Sequence, residues 1–287
     1  MDSAVKKNLI ESYQVDGGFI VHNGAMLEKL YAGLGIDPKV SLDRKVYELE
    51  GLTHFFANDV MALVKKLGIA SDDHVLSCGE GNGAPSRLMI KMAGCRVTGI
   101  DINPQQVLKA RECALLHGVQ DRATYIEANV EDFSLDKKDF TKAFVNETCG
   151  HWQHKDKAFA RICAHLKEGA LVGFNAWIRG DKGSLNEAYE PIPEFRPLYK
   201  RGIWFQDDLA TYKRLLEAAG FSVLEMYDCT DKLDVKMRAR IKARPQWEMY
   251  GKIMGRDAAE SGLKYYEGML KTHYDYLRYA VIIAQKA

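Results

Sequence analysis

The feature that most constrains this fold is a short, mostly apolar strand that runs directly into a glycine-rich loop. Residues 74–78 read HVLSC and are followed by the loop Gly79-Glu80-Gly81-Asn82-Gly83, after which Pro85 opens a helix. Glycines in such a loop let the backbone approach a ligand that a side chain would exclude. The helix N-terminus adds partial positive charge. The segment therefore predicts a binding site for a ligand that carries a carboxylate or a phosphate.

An acidic residue at the end of the next strand indicates that this ligand contains a nucleoside. Asp101 closes the predicted strand at residues 95–101, where its carboxylate can accept hydrogen bonds from two ribose hydroxyls. Residues 79–84 also satisfy the dinucleotide pattern G-x-G-x-x-A, with Asp101 about 20 residues further on. From this pattern alone, binding of NAD, binding of S-adenosylmethionine and a tight turn without a ligand all remain open.

Helices and strands alternate along most of the chain, which predicts an α/β fold. Apolar residues recur at helical spacing between short apolar runs that read as strands. This alternation favours a Rossmann-like, seven-stranded, mostly parallel sheet with helices on both faces. The predicted strands are residues 74–78, 95–101, 123–127, 143–146, 170–174, 221–226 and 279–284.

The chain divides into an N-terminal extension, residues 1–51, and a main domain, residues 52–287. Aromatic and long apolar side chains in the extension predict a docked helical lid rather than a disordered segment. It is expected either to close over the site or to pack on a second subunit. Within the main domain, a loop-like insertion at about 177–205 and a helical cap at about 230–275 interrupt the alternation.

Charge and cysteine usage exclude several classes of function. The formal net charge of +1 gives no broad attraction to nucleic acid or to an anionic membrane. We find no run of about 20 apolar residues and no signal peptide, and the six cysteines are scattered, so a reduced, cytoplasmic protein is predicted. Cys149 and His151 offer two metal ligands, but no second cluster completes a set, and no metal site is predicted.

From about residue 52 onward the sequence resembles the class I S-adenosylmethionine-dependent methyltransferases. The likeness is closer to their small-molecule branch, which contains sterol, tocopherol and sarcosine/dimethylglycine methyltransferases. It implies S-adenosylmethionine as the cofactor and a last strand that inserts antiparallel. The segments that carry the resemblance are VLSCGEGNG, GIDINPQQVLKAR, YIEANVEDF, FVNETCGHWQHKDKAFARICAHLKEGALVGF, KRLLEAAGFSVLEMYD and DYLRYAVIIAQKA.

The resemblance also implies a set of cofactor-binding residues. A backbone cradle would hold the methionine and ribose, Asp101 the ribose hydroxyls, and Ile102 one face of the adenine. Asn129 and Val130 would meet the adenine edge, and Asn146 would approach the sulfonium. The complete expected set is Cys78, Gly79, Gly81, Asp101, Ile102, Gln106, Asn129, Val130 and Asn146.

The sequence departs from the family pattern around the glycine loop. An acid is common where Ser77 stands, Glu80 replaces a smaller residue, and an aspartate is common where Asn129 stands. Asn129 keeps a carbonyl that can accept from an amino group. Most of the other expected contacts are made by backbone, so cofactor binding is still expected.

Glu147 and His151 follow the fourth predicted strand, where the family places residues that face the acceptor. His151 has a suitable ordinary pKa for a general base, or it only orients the substrate. Glu147 binds a cationic or hydroxyl-bearing acceptor, or only caps its loop. Aromatic residues that could wall an apolar pocket are Tyr13, Phe55, Phe56, Trp152, Trp177 and Trp204.

These features favour methyl transfer to a small, partly apolar acceptor by in-line displacement. The acceptor would be a natural product, a lipid or an amine-like compound. Two other functions stay open on the sequence: a non-catalytic protein that binds an adenosyl ligand, and an NAD-dependent oxidoreductase.

Overall fold

The computed structural model describes residues 1–13, 23–39, 57–193 and 201–287, and within them seven strands form one sheet. The strands are β1 (His74–Cys78), β2 (Arg96–Asp101), β3 (Ala123–Glu127), β4 (Phe140–Asn146), β5 (Leu166–Arg179), β6 (Phe221–Asp228) and β7 (Leu277–Lys286). Their order across the sheet is β3-β2-β1-β4-β5-β7-β6. Every neighbouring pair is parallel except those of β7, which runs antiparallel to β5 and β6. The predicted mostly parallel sheet with an antiparallel last strand is confirmed.

Strand β5 is longer than the sequence predicts. Its apolar run suggested residues 170–174, with a loop from residue 177, whereas the strand extends to Arg179. Trp177 and Ile178 pair with Tyr279 and Arg278 of β7, so backbone hydrogen bonds to a distant strand hold them extended. The predicted insertion at 177–205 therefore begins after Arg179.

Helices cover both faces of the sheet. Alternate side chains of a strand point to opposite faces, so that Val75 packs in one apolar cluster and Leu76 in the other. The helices of the main layers are α3 (Ala57–Lys66), α4 (Ala84–Ala93) and α5 (Pro104–Leu116) on the Val75 face, and α6 (Lys155–His165) and α7 (Leu209–Ala218) on the Leu76 face.

The N-terminal helices and the predicted cap form a third apolar cluster. The lid helices are α1 (Ser3–Ser12) and α2 (Gly24–Leu34), and the cap helices are α8 (Thr230–Lys242), α9 (Arg244–Met254) and α10 (Arg256–Thr272). Gly33 of α2 lies so close to Ile253 of α9 that an added Cβ would come within 2.9 Å of its side chain. The described part of the extension is thus helical and docked, while the proposed boundary near residue 51 lies outside the described residues.

Short polar residues begin the helices that flank the site. The Asn103 side chain accepts a hydrogen bond of 3.0 Å from the Gln105 amide at the start of α5, and Pro104 occupies the first turn. The Asp208 side chain accepts one of 2.8 Å from the Thr211 amide at the start of α7. Across the residues that the structure describes, no helix is both long and apolar enough to cross a membrane.

Candidate active site

A cavity opens at the carboxyl ends of β1, β2, β3 and β4. Strand β1 lies between β2 and β4, so the chain reverses direction across the sheet at this point, where ligands bind in open α/β folds. The cavity holds about 1170 Å³ of empty space, part of it open solvent. Its floor is formed by the loops after these strands, and its roof by α1 and α10.

The glycine loop after β1 is fixed by hydrogen bonds to β2. The amides of Gly79 and Glu80 donate to the Ile100 carbonyl at 2.8 and 3.1 Å. Gly79, Gly81 and Gly83 all have positive φ, which places them in the left-handed region that favours glycine. A Cβ at Gly79 would collide with the Thr148 side chain, so this glycine lets the loops after β1 and β4 meet.

Asp101 joins the glycine loop to the end of β2. One carboxylate oxygen accepts from the Gly81 amide at 2.8 Å and the other from the Asn103 amide at 2.9 Å. Burial raises the pKa of Asp101, while these two amide donors oppose the shift. Both oxygens are therefore held in fixed directions beside the cavity, and each keeps a lone pair for a further donor.

Glu80 offsets the missing acid at Ser77. Glu80 is 4% exposed, and its carboxylate accepts from the Ser86 amide at 3.2 Å and from the Ser77 side chain. Burial raises the pKa of Glu80, and the nearby Arg87 guanidinium opposes that rise. The two departures seen separately in the sequence are thus one structural unit, in which the acid reaches the strand end from three residues further along.

The adenine end of the predicted site is formed by residues from α5 and the loop after β3. The Asn129 side-chain oxygen accepts from the Glu131 amide at 3.1 Å, which stabilises the turn and leaves one lone pair. The Gln106 side-chain nitrogen donates to the Tyr13 carbonyl at 2.9 Å. Its buried oxygen has no partner among the described residues, so it is an acceptor in need of a donor.

Glu147 projects from an unusual backbone conformation just after β4. Its φ is 59°, a value that is uncommon for a residue with a side chain, and its amide donates to the Asn175 carbonyl at 2.8 Å. The Tyr279 hydroxyl donates to its Oε1 at 3.0 Å. Glu147 lines the cavity. Burial raises its pKa to about 7, although hydrogen bonds from the Tyr279 and Trp177 side chains oppose that rise.

His151 ends a short 3₁₀ helix, Cys149–His151, that follows the Glu147 turn. Its Nδ1 lies 2.8 Å from the Ile203 carbonyl, which can only accept, so Nδ1 carries the proton and Nε2 is an acceptor. The Tyr13 hydroxyl, 2.9 Å from Nε2, is then the donor. The Trp204 ring lies 4.4 Å away, and burial lowers the pKa of His151 to about 4, so the ring is neutral at pH 7.

Helix α1 closes over the cavity. The Met1 ammonium lies 2.6 Å from the buried Glu131 carboxylate, and the Asp2 amide donates to the Gln153 side chain at 2.8 Å. At its other end, the Tyr13 contacts with His151 and Gln106 hold the chain against the site. These contacts therefore anchor α1 beside the cavity at both of its ends.

The structure brings the predicted site residues together around one cavity, with Cys78 as the exception. Cys78 is 1% exposed and packs in the sheet core beneath the loop. Its expected backbone contact with the cofactor stays a prediction, since the chain reaches the cavity lining at Gly79, one residue later. The predicted residues that line the cavity are Gly79, Gly81, Asp101, Ile102, Gln106, Asn129, Val130, Asn146, Glu147 and His151.

Four of the predicted aromatic residues line the cavity as well: Tyr13, Trp152, Trp177 and Trp204. Phe55 and Phe56 lie outside the described residues. The sequence missed lining residues that the lid, the insertion, the cap and the start of β7 contribute, namely Met1, Leu9, Leu185, Tyr265, Met269 and Leu277. No local signal marks them, since an apolar residue that faces a cavity has the same spacing as one that faces the core.

The comparisons with known proteins agree with this arrangement. Residues 75–169, which include the loops after β1, β2, β3 and β4, match the model of a family described as a methyltransferase domain.

Over these residues the chain matches a methyltransferase domain.

Among curated proteins, sterol 24-C-methyltransferase of Saccharomyces cerevisiae is 27% identical over 197 residues, which are 66% of this chain and 50% of that protein. The chain thus spans about half the length of the curated relatives that it matches first.

Two solved structures share the fold. Phosphoethanolamine N-methyltransferase 2 of Haemonchus contortus, bound to phosphomonomethylethanolamine and S-adenosylhomocysteine, has a TM-score of 0.71 at 16% identity. The superposed region covers 97% of this chain and 60% of the Haemonchus contortus chain. Geranyl diphosphate C-methyltransferase of Streptomyces coelicolor has a TM-score of 0.63 at 16% identity. The superposed region covers 99% of this chain and 98% of that one.

The described residues of the cavity fit an adenosyl cofactor. Three positive-φ glycines give the loop after β1 room for a ligand beside its backbone, and α4 adds its N-terminal partial charge. The two fixed oxygens of Asp101 suit a pair of ribose hydroxyls. The orphaned oxygen of Gln106 suits a hydroxyl or an amino group.

Proposed function

We propose that this chain transfers a methyl group from S-adenosylmethionine to a small, partly apolar acceptor. The observation that carries the proposal is the division of one cavity into two chemically different halves. One half, with the glycine loop and Asp101, offers fixed polar groups to a nucleoside. The other is lined by Trp177, Trp204 and apolar residues of the cap, together with the Glu147 carboxylate.

The enclosure of the cavity supports a small acceptor. The lid helix α1 and the cap helix α10 both contribute lining residues, so a substrate must fit beneath them. The contacts of Met1 and Tyr13 with residues of their own chain favour the lid over packing on a second subunit. The near-zero net charge supports a protein that binds no nucleic acid, and the six scattered cysteines support a reduced, cytoplasmic setting.

The main work of such a protein is alignment. Bound S-adenosylmethionine would supply an activated methyl group on a sulfonium. The walls of the cavity would hold the acceptor atom in line with it, and the lid would exclude water. Alignment of this kind supplies roughly 7–11 kcal/mol in favourable cases. The rigid anchoring of the loops after β1 and β4 against each other, through Gly79 and Thr148, suits that task.

Of the two candidate bases, we propose Glu147 as the proton acceptor and His151 as a positioning residue. The pKa of Glu147 is raised to about 7 and that of His151 is lowered to about 4. A difference of about three pKa units makes proton transfer to Glu147 easier by about 4 kcal/mol. His151 also has its free nitrogen occupied by the Tyr13 hydroxyl. It would thus orient Tyr13 and hold the lid rather than take a proton.

The test is calorimetric titration of the protein with S-adenosylhomocysteine and with NAD, followed by transfer of labelled methyl to an acceptor panel. We expect binding of the adenosyl compound only, and at least tenfold weaker binding by Asp101→Ala. Asp121→Ala is the matched control, because Asp121 is exposed just before β3 begins and does not line the cavity. Binding of NAD alone would favour an oxidoreductase. Tight cofactor binding with no transfer to any acceptor would favour a non-catalytic protein.

A further inference from the structure

We propose that the acceptor is an amine on an apolar skeleton, with its nitrogen bound between the Glu147 carboxylate and the aromatic rings of the cavity. This inference rests on the proposed function and names the chemical class of its substrate. It is carried by the charge, the backbone conformation and the aromatic surroundings of Glu147.

The charge of the acceptor half is the first observation. Among the described residues that line the cavity, the ionisable acids are Glu80, Asp101 and Glu147, and no lysine or arginine is present. Glu80 and Asp101 are held by the glycine loop, which leaves Glu147 as the acid of the acceptor half. The Met1 ammonium also lines the cavity, but the Glu131 carboxylate neutralises it.

The basic groups near the acceptor half do not cancel its negative charge. Arg240 acts on Glu147 from outside the cavity lining, and its guanidinium donates to the Tyr266 hydroxyl. Lys155 donates to the Trp152 carbonyl and pairs with Asp207 at 3.0 Å. The described lining therefore attracts a cation and repels an anion.

The backbone at Glu147 is the second observation. A residue with a Cβ in the left-handed region costs about 1–2 kcal/mol relative to an ordinary conformation, and glycine would avoid that cost. The Asn175 carbonyl holds the strained turn, and Tyr279 and Trp177 hold the carboxylate. A carboxylate kept at this cost, with donors arranged around it, is consistent with a role that a neutral loop residue could not fill.

The aromatic surroundings are the third observation. Rings of Tyr13, Trp177, Trp204 and Tyr265 line the cavity. Trp177 also packs edge-on against Tyr279, with centroids 4.7 Å apart, which fixes its orientation beside Glu147. The face of an aromatic ring attracts a cation by about 0.5–2 kcal/mol, more when water is excluded. Carboxylate and rings together thus favour an ammonium group on an otherwise apolar molecule.

The same lining distinguishes this chain from its structural neighbours. Those neighbours were solved with phosphomonomethylethanolamine and with geranyl diphosphate, both of which carry phosphate. Phosphate binding draws on arginine, lysine or a metal ion, and the described lining offers neither basic side chain. A phosphorylated acceptor would instead meet the Glu147 carboxylate, so the fold is shared while the acceptor chemistry differs.

The chemistry balances for an amine. A protonated amine first gives its proton to the Glu147 carboxylate, which becomes a carboxylic acid. The nitrogen lone pair then forms the N–C bond to the methyl group, and the electron pair of the breaking C–S bond stays with sulfur. The product is again an ammonium ion, which faces the rings and the neutral Glu147 carboxylic acid. Glu147 returns its proton to solvent when the lid opens.

The test uses three probes with one skeleton: 4-phenylbutylamine, 4-phenylbutan-1-ol and 4-phenylbutanoate. Each is titrated calorimetrically into the full-length protein saturated with S-adenosylhomocysteine. We expect the amine to bind at least tenfold more tightly than the alcohol, and the carboxylate to bind most weakly. In Glu147→Gln the preference for the amine over the alcohol should fall to below threefold, with the affinity for S-adenosylhomocysteine changed less than threefold.

Glu225→Gln is the matched control, because Glu225 pairs with Lys66 at the surface, away from the cavity lining. It should keep the full preference for the amine. Equal or tighter binding of the carboxylate, failure of the amine to bind, or an unchanged preference in Glu147→Gln would overturn the inference. Absence of S-adenosylhomocysteine binding would instead overturn the proposed function, so the two failures are distinct. Thermal unfolding of each variant establishes that it is folded.

Discussion

The Tyr13 hydroxyl donates a hydrogen bond of 2.9 Å to Nε2 of His151, and so joins the end of the first helix to the loop after β4. The two residues are far apart in the sequence, so no local sequence pattern predicts their contact. Their contact holds the end of α1 against the loop after β4. In the proposed function, a ligand beneath α1 would leave faster once this bond is lost.

We expect Tyr13→Phe to release the cofactor product faster. A net hydrogen bond is worth about 0.5–1.5 kcal/mol, which corresponds to roughly 2- to 12-fold faster dissociation of S-adenosylhomocysteine in a stopped-flow chase. Tyr274→Phe is the control, since it also loses a hydrogen bond, to Asp231, but at an exposed site away from the cavity lining. Equal dissociation rates in the wild type and Tyr13→Phe would mean that this bond does not hold the lid.

We expect Gly79→Ala to cost far more stability than Gly68→Ala. Both glycines have positive φ, so both variants bear about 1–2 kcal/mol of backbone strain. A Cβ at Gly79 also collides with Thr148, whereas one at Gly68 meets nothing within 4 Å. The additional cost should be about 1–3 kcal/mol in urea unfolding. Similar unfolding free energies for the two variants would show that the loops after β1 and β4 are not packed as tightly as described.

We expect Glu147→Gln to stabilise the protein at pH 8 and to have little effect at pH 4.5. The folded pKa of Glu147 is raised from 4.5 to about 7, so the folded state binds the extra proton and loses stability as the pH rises through this window. By pH 8 the loss amounts to about 3 kcal/mol, which the neutral amide avoids. The measurement is chemical unfolding of both proteins across this pH range.

Glu187→Gln is the control of opposite sign. Hydrogen bonds from Ser184 lower the pKa of Glu187, so its charged form stabilises the fold and is lost as the pH falls. That variant should be less stable than the wild type at pH 8. If Glu147→Gln behaved in the same way, burial of its carboxylate would not dominate its energetics.

We expect kcat/KM for methyl transfer to an amine to rise with pH through about 7. Glu147 must be ionised to accept the proton, and its raised pKa sets this midpoint. Ionisation of His151 should not change the rate near neutral pH, because its pKa is lowered to about 4. Glu147→Gln should remove the rise near pH 7 and lower kcat/KM. Survival of that rise in the variant, with loss of it in His151→Gln, would assign the base to His151.

Much of the frame could be predicted from the sequence. Strands β1 and β3 have the predicted bounds, because each is a short apolar run closed by turn residues. The positions of the glycine loop and Asp101 also follow directly. Parallel strands place their carboxyl ends on one edge, so residues that end consecutive strands must meet there. Hydrophobic periodicity and glycine positions are properties of neighbouring residues, and the sequence displays them.

The local reading was weaker where a residue depends on a distant partner. The length of β5 is set by β7, about 100 residues later, and the role of Glu80 depends on its contact with Ser77 and Ser86. The cap residues Tyr265 and Met269 reach the cavity only because the third apolar cluster docks the cap against the lid. None of these contacts has a signature in the adjacent sequence.

What the sequence by itself determined is the sheet, the glycine loop with its acid, and the segment that faces the acceptor. What only the tertiary structure decided is the chemistry of that segment. From ordinary pKa values, His151 is the natural base at neutral pH and Glu147 is always charged. Burial beneath the lid lowers the pKa of one and raises that of the other. A pKa depends on the water and the charges around a group, and long-range packing alone fixes those surroundings.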